Sequence, residues 1–176
     1  ASRLDERRRT LESGAAFEPE AEAAREAGAR CVLDSSGDAL TSIDSGVYLV
    51  KPSLDELCEW TGRKLATDDE RITAARELVT SGVTEIVVVS LGADGAIMVT
   101  ADEAVRVPAL AAKVRSAVGA GDSMVAGLVV GLLQERSLHD ALALGIACGT
   151  AALLTAGSHV CRREDIDRFD ALARGG

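Results

Sequence analysis

The residues best suited to chemistry in this chain are Val118-Gly119-Ala120-Gly121-Asp122-Ser123, which lead directly into the apolar run Met124–Leu133. Small residues let the backbone come close to a ligand, and the N–H groups that open the following helix point at an anion. Asp122 falls at that same helix start. A permanent carboxylate there repels a bound phosphate unless its task is to accept a proton from an attacking hydroxyl. An oxyanion cradle beside a carboxylate base is what phosphoryl transfer to an alcohol requires. A helix-capping aspartate after a glycine turn, stabilised by the helix dipole, satisfies the same pattern. A dinucleotide fingerprint does not fit, because G-x-G-x-x-G needs Gly or Ala where Met124 stands, and no G-K-[ST] of a P-loop occurs.

The elements that must hold these residues alternate between helical and extended periods, the signature of a layered α/β domain. Pro19–Gly28 reads as a helix closed by glycine, followed by a strand Arg30–Asp34 and a turn at Ser35-Ser36-Gly37. Val47–Lys51 is a second strand, stopped by Pro52, and Leu54–Thr61 is helical. Asp68–Ser81 places Ile72, Ala75, Leu78 and Val79 on one helix face and ends before Gly82. The β-branched run Thr84–Ser90 suits a strand covered on both faces. A glycine turn at Leu91–Gly95 follows, then a hairpin of Ala96–Thr100 with Ala104–Val107. Helices are expected from about Gly121, from Ser137, and over Glu164–Ala173. Ala1–Phe17 fits this plan least; its charges give it no assigned role.

Composition excludes several classes of function. The 176 residues suffice for one ordinary domain, and 47% apolar with 27% charged is a globular rather than a disordered balance. Aromatics at 2% leave no stacking platforms for single-stranded nucleic acid, and a net charge of −9 disfavours nucleic acid or an anionic membrane as partner. Cys31, Cys58, Cys148 and Cys161 show no metal-ligand spacing with one another or with His139 and His159, so they read as reduced packing residues of a cytoplasmic protein. Ala141–Gly157 carries no charge, but Gly145, Gly149 and Thr150 interrupt it, which favours a buried helix over a membrane span.

VGAGDSMVAG closely resembles the signature of the ribokinase-like (PfkB-type) carbohydrate kinases. RCVLDSSGDAL (Arg30–Leu40), LVKPSLDEL (Leu49–Leu57) and VVVSLGADGA (Val87–Ala96) agree with that family in order and spacing. The wording looks most like the ATP-dependent type 2 6-phosphofructokinases. The resemblance runs from about Ala21 to the C-terminus. It implies an α/β, ribokinase-like layered fold: the C-terminal part of a mostly parallel sheet flanked by helices, here residues 18–176. The N-terminal half and lid, with the sugar-binding aspartate and a glycine-glycine segment, have no counterpart in these residues. The chain is thus expected to be a fragment or truncated relative that folds marginally or self-associates, and binds ATP weakly without phosphorylating sugar.

Laid on residues, the resemblance implies that Asp122 is the catalytic base and that the backbone of Gly119, Ala120 and Gly121 forms the anion hole for the transferred phosphoryl group. It makes Ser90, Leu91, Gly92, Ala93, Asp94 and Gly95 the loop lining the ATP site and Lys51 a nucleotide contact; without it, the loop is an ordinary turn and Lys51 a surface lysine. Where the family commonly has Asn-x-x-Glu to organise Mg²⁺, this chain has Ser53 and Glu56, which also spell a capping box. Ser116, Val118, Ala152 and Gly157 match a monovalent-cation (K⁺) loop that binds mainly through backbone oxygens. The implied reaction is glycolytic phosphorylation of fructose 6-phosphate by ATP, in a protein that is a cytoplasmic homodimer when complete. Alternatives are 1-phosphofructokinase, tagatose-6-phosphate kinase, or a non-catalytic remnant that binds nucleotide weakly or serves as a packing subunit.

Overall fold

A computed structural model describes residues 22–24, 26–43, 45–156 and 159–175. The charged segment 1–17, the start of the expected first helix, and Gly157 lie outside the described residues. Among those described, five strands form one sheet: β1 (Val32–Leu33), β2 (Val47–Val50), β3 (Thr84–Ser90), β4 (Ala96–Val99) and β5 (Ala104–Val107), hydrogen-bonded in that order. β1 and β2 are parallel, with Leu33 opposite Val50; β2 and β3 are parallel, with Val50 opposite Val87. The connections after β3 and β4 are too short for a parallel crossover, which needs about a dozen residues, so both are hairpins and the sheet is mixed. The chain divides into two compact units, Ala1–Val89 with Val99–Glu103, and Ser90–Met98 with Ala104–Gly176.

In the first unit the strands are followed or joined by α1 (Asp38–Thr41), α2 (Leu54–Thr61) and α3 (Asp68–Thr80). β3 is the covered strand that its β-branched run predicts: Ile86 to Val89 are buried without a break. Both longer helices open on capping boxes, Ser53 with Glu56 and Thr67 with Glu70. In the second box, hydrogen bonds from the Thr67 N–H first, then the Thr67 hydroxyl and the Ala66 N–H, hold the Glu70 carboxyl below the usual carboxylate range. α3 turns Ala74 and Ala75 fully inward, while Ile72, Leu78 and Val79 flank that line half-buried. Small side chains at the contact line allow the helix to lie close.

The second unit is organised by α4 (Ala120–Leu133), α5 (Leu138–Leu153) and α6 (Arg163–Ala173). α5 is buried over most of its length, which accounts for the lack of charge from Ala141 onward. No helix among the described residues is long and apolar enough to cross a membrane. α4 and α5 meet along glycines. A Cβ on Gly127 would stand 2.7 Å from the Leu144 carbonyl, one on Gly131 2.8 Å from the Ala141 Cα, and one on Gly145 2.8 Å from the Leu128 Cγ. Real Cβ atoms do not approach that closely, so these glycines set how near the two helix backbones come. On the other side of α5, Phe169 of α6 packs on Ala147 and Ala151, and buried Asp170 pairs with Arg136 at 3.1 Å and Arg174 at 3.2 Å. Cys148 is buried, the other three cysteines are half-buried, and none carries a disulfide.

Candidate active site

In the second unit, α4 begins on the turn that the sequence singles out. Gly119 is the N-cap, in the left-handed region at φ 77°, and it offers no side chain to the helix. A Cβ there would meet nothing within 4 Å, so glycine is required by backbone conformation and not by crowding. The Ser123 N–H returns to the Gly119 carbonyl at 2.9 Å, and the Ala120 N–H to the Ala117 carbonyl at 3.3 Å. The N–H groups of Gly119, Gly121 and Asp122 have no acceptor among the described residues. Asp122 is the third residue of the helix, not its cap. Its carboxylate is exposed and takes no hydrogen bond or ion pair among the described residues. A free carboxylate and three free donors therefore share one helix turn, where the dipole favours negative charge. Ala120, the middle residue of the expected anion hole, spends its N–H inward.

The base of that turn rests on α5. A Cβ on Gly149 would lie 3.2 Å from the Ala120 carbonyl, so the start of α4 sits almost directly on the α5 backbone. The segment leading to the turn is tied to the end of α5, with the Arg115 N–H on the Leu153 carbonyl at 2.8 Å and the Ser116 N–H on the same oxygen at 3.4 Å. Of the four residues expected to surround a monovalent cation, Ser116 and Val118 keep their carbonyl oxygens free of backbone donors among the described residues. Ala152 does not: its carbonyl accepts the Thr155 N–H at 3.1 Å and the Thr155 hydroxyl at 2.8 Å.

The loop after β3 also belongs to this unit. Gly92–Asp94 form a single 3₁₀ turn, closed by the Leu91 N–H on the Gly95 carbonyl at 2.8 Å. Gly95 has no alternative residue, since φ is 97° and a Cβ would collide with the Val107 carbonyl. Gly92, Ala93 and Asp94 are exposed at the tip, and the Arg106 guanidinium donates to the Asp94 carbonyl at 3.3 Å.

In the first unit, Lys51 is the residue immediately after β2 and is 8% exposed, not the surface lysine that its type suggests in isolation. Its ammonium stands 3.2 Å from the Asp34 carboxylate. Asp34, immediately after β1, was not marked by the sequence pattern beyond its place at a strand end. Both lie at the carboxyl ends of parallel strands, where open α/β sheets bind ligands. Two residues on, the Ser53 N–H donates to Glu56 Oε2 at 2.7 Å and the Glu56 N–H to Ser53 Oγ at 3.2 Å. The capping box is formed, and it occupies one oxygen of Glu56.

Comparison with known proteins gives the family. The sequence model described as pfkB family carbohydrate kinase matches residues 13–165. The chain belongs to the pfkB family of carbohydrate kinases. Among pfkB relatives, it is 46% identical over 142 residues to the ATP-dependent 6-phosphofructokinase isozyme 2 of Mycobacterium tuberculosis, a match covering 81% of this chain and 42% of that protein. It is 37% identical to the 1-phosphofructokinase of Haloferax volcanii, over 78% of this chain and 45% of that one. The crystal structure of Escherichia coli phosphofructokinase-2 in complex with potassium superposes with a TM-score of 0.81 at 38% identity, covering 88% of this chain and 50% of that chain. This pfkB chain thus spans about half the length of the relatives it matches. The ribokinase-like α/β fold expected from its motifs is the fold observed.

Proposed function

We propose that this chain carries the nucleotide-binding and proton-accepting part of an ATP-dependent sugar-phosphate kinase, with fructose 6-phosphate as acceptor and fructose 1,6-bisphosphate and ADP as products. The observation that carries the proposal is Asp122, an exposed carboxylate with no partner among the described residues, in the same helix turn as three backbone N–H groups that find no acceptor among them. The carboxylate accepts the proton of the sugar hydroxyl as its oxygen attacks the γ-phosphorus. The N–H groups of Gly119, Gly121 and Asp122 donate to the oxygens of the phosphoryl group in transfer, where charge is spread over them. Ala120 joins them only by releasing the Ala117 carbonyl. Ser90–Gly95 line the nucleotide, and the buried Lys51 ammonium meets its phosphates.

The donor set fits Mg²⁺ held mainly by nucleotide phosphates. Among the described residues no three carboxylate, histidine or cysteine side chains gather as a cage, and Glu56 has one oxygen left to reach the ion through water. Mg²⁺ so held neutralises phosphate charge. A monovalent cation fits the free carbonyls of Ser116 and Val118 better than that of Ala152. Unbridged thiols support a cytoplasmic setting, and homodimerisation belongs to the same proposal.

The test is ADP release by the longest reading frame that contains these residues, with fructose 6-phosphate, fructose 1-phosphate and tagatose 6-phosphate offered in turn. Turnover specific to fructose 6-phosphate supports the proposal, and preference for fructose 1-phosphate makes the protein a 1-phosphofructokinase, as its Haloferax volcanii relative is named. Nucleotide binding without turnover on any sugar phosphate identifies a non-catalytic remnant.

A further inference from the structure

We propose that Asp34 is the positioning residue of Lys51: its carboxylate holds the lysine ammonium at the edge of the sheet where the nucleotide phosphates arrive. The proposal rests on the assignment of Lys51 to the nucleotide. The sheet register brings the pair together without help from any loop. Leu33 stands opposite Val50 in the parallel pairing of β1 and β2, so the next residues, Asp34 and Lys51, leave the two strands side by side. The Lys51 N–H donates to the Leu33 carbonyl at 3.2 Å, which extends the ladder to the root of the lysine side chain. Its ammonium then ends 3.2 Å from Asp34 Oδ1.

The two partners are unequally buried, with side-chain exposures of 9% for Lys51 and 31% for Asp34. A side chain so enclosed is held in one place by a counter-charge at its tip. Asp34 supplies it from the open side and fixes one direction for a side chain that otherwise has four rotatable bonds. Asp34 does not itself attract ATP. A carboxylate repels a triphosphate, so it favours nucleotide binding only through Lys51. That opposition of signs separates a positioning role from a direct one.

Steady-state kinetics of four forms of the longest reading frame that contains these residues test the proposal: parent, Asp34→Asn, Lys51→Met and the double variant. Asp34→Asn is expected to raise KM for ATP about tenfold with kcat within about threefold, the size of one misdirected charged contact. In the Lys51→Met background, Asp34→Asn is expected to cost nothing in KM or to lower it. An equal cost in both backgrounds overturns the proposal, because Asp34 then acts independently of Lys51. An unchanged KM in Asp34→Asn overturns it as well. An unchanged KM for ATP in Lys51→Met shows instead that Lys51 is not a nucleotide contact, and the proposal fails with that assignment. If Asp34→Asn does not fold, Asp34→Glu decides: moving the carboxylate by one methylene is expected to raise KM for ATP about threefold at an unchanged melting temperature, and no change in KM overturns the proposal.

Discussion

Replacing Gly127 by alanine isolates the effect of the α4–α5 glycine seam, because its two consequences have opposite signs. Alanine in a helix interior is favoured over glycine by about 1 kcal/mol, so propensity alone makes Gly127→Ala stabilising. Packing opposes this. The new Cβ would lie 2.7 Å from the Leu144 carbonyl oxygen, 2.9 Å from Cys148 Sγ and 3.0 Å from the Gly145 Cα. Two of these three neighbours are backbone atoms of α5, so the helices must separate. Overpacking of this kind costs about 1–3 kcal/mol, and rigid backbone neighbours place it at the upper end. The net expectation is a loss of about 2 kcal/mol, or a fall in melting temperature of about 5 °C for a domain of this size. Gly149→Ala is the control. Its Cβ would meet the Ala120 carbonyl at 3.2 Å and the Met124 Cβ at 3.4 Å, a contact that a shift of a few tenths of an ångström relieves. Propensity and crowding nearly cancel there, and the expected change is about zero. Urea denaturation of the three proteins is the assay. If Gly127→Ala is as stable as Gly149→Ala, or more stable than the parent, the seam does not set the helix spacing.

Burial, with smaller contributions from Cys161 and Asp170, pushes the Cys148 thiol from an ordinary 9.0 up to about 11. Its proton is held more tightly in the folded than in the unfolded chain, so this contribution to stability is complete below pH 9 and is lost as pH rises toward 11. Cys148 is therefore expected to resist alkylation at pH 8 until the protein unfolds; mass spectrometry showing its modification at the rate of Cys58 in the native chain would contradict this. For the first capping box, Ser53→Ala strands the Glu56 N–H and is expected to cost about 1 kcal/mol by denaturant titration. Ser53→Asn keeps a capping side chain and supplies the amide common in the family, so it is expected to lower the Mg²⁺ concentration for half-maximal activity; an unchanged Mg²⁺ dependence would leave Ser53 and Glu56 with a capping role alone.

Much of this fold is legible in the chain because its local signals agree. The Ser53–Glu56 capping box fixes the start of α2, the β-branched run fixes β3 residue for residue, and Ser137 starts α5 one residue later, as an N-cap must. The turn at Gly119 is equally plain, since a positive φ before a helix calls for glycine. What eluded the pattern depends on neighbours distant in sequence. Lys51 is buried and paired only because β1 lies alongside β2 in one register, and no local spacing reports that. The seam glycines were available as two i, i+4 pairs, Gly127 with Gly131 and Gly145 with Gly149, but their meaning emerges only once α4 and α5 face each other. The capping alternative for Asp122 fell for a local reason: Gly119 takes the N-cap and leaves Asp122 two residues inside the first turn.

The central claim is that Asp122 accepts the proton in phosphoryl transfer, and Asp122→Asn tests it most directly. The amide preserves the size of the side chain at an exposed position and removes its basicity. Steady-state turnover of the longest reading frame containing these residues, with ATP and fructose 6-phosphate, is expected to fall by about 10²–10⁴ while ATP affinity, measured by calorimetry, changes little. Turnover within a few-fold of the parent would contradict the account and leave Asp122 as a charge that favours the start of α4.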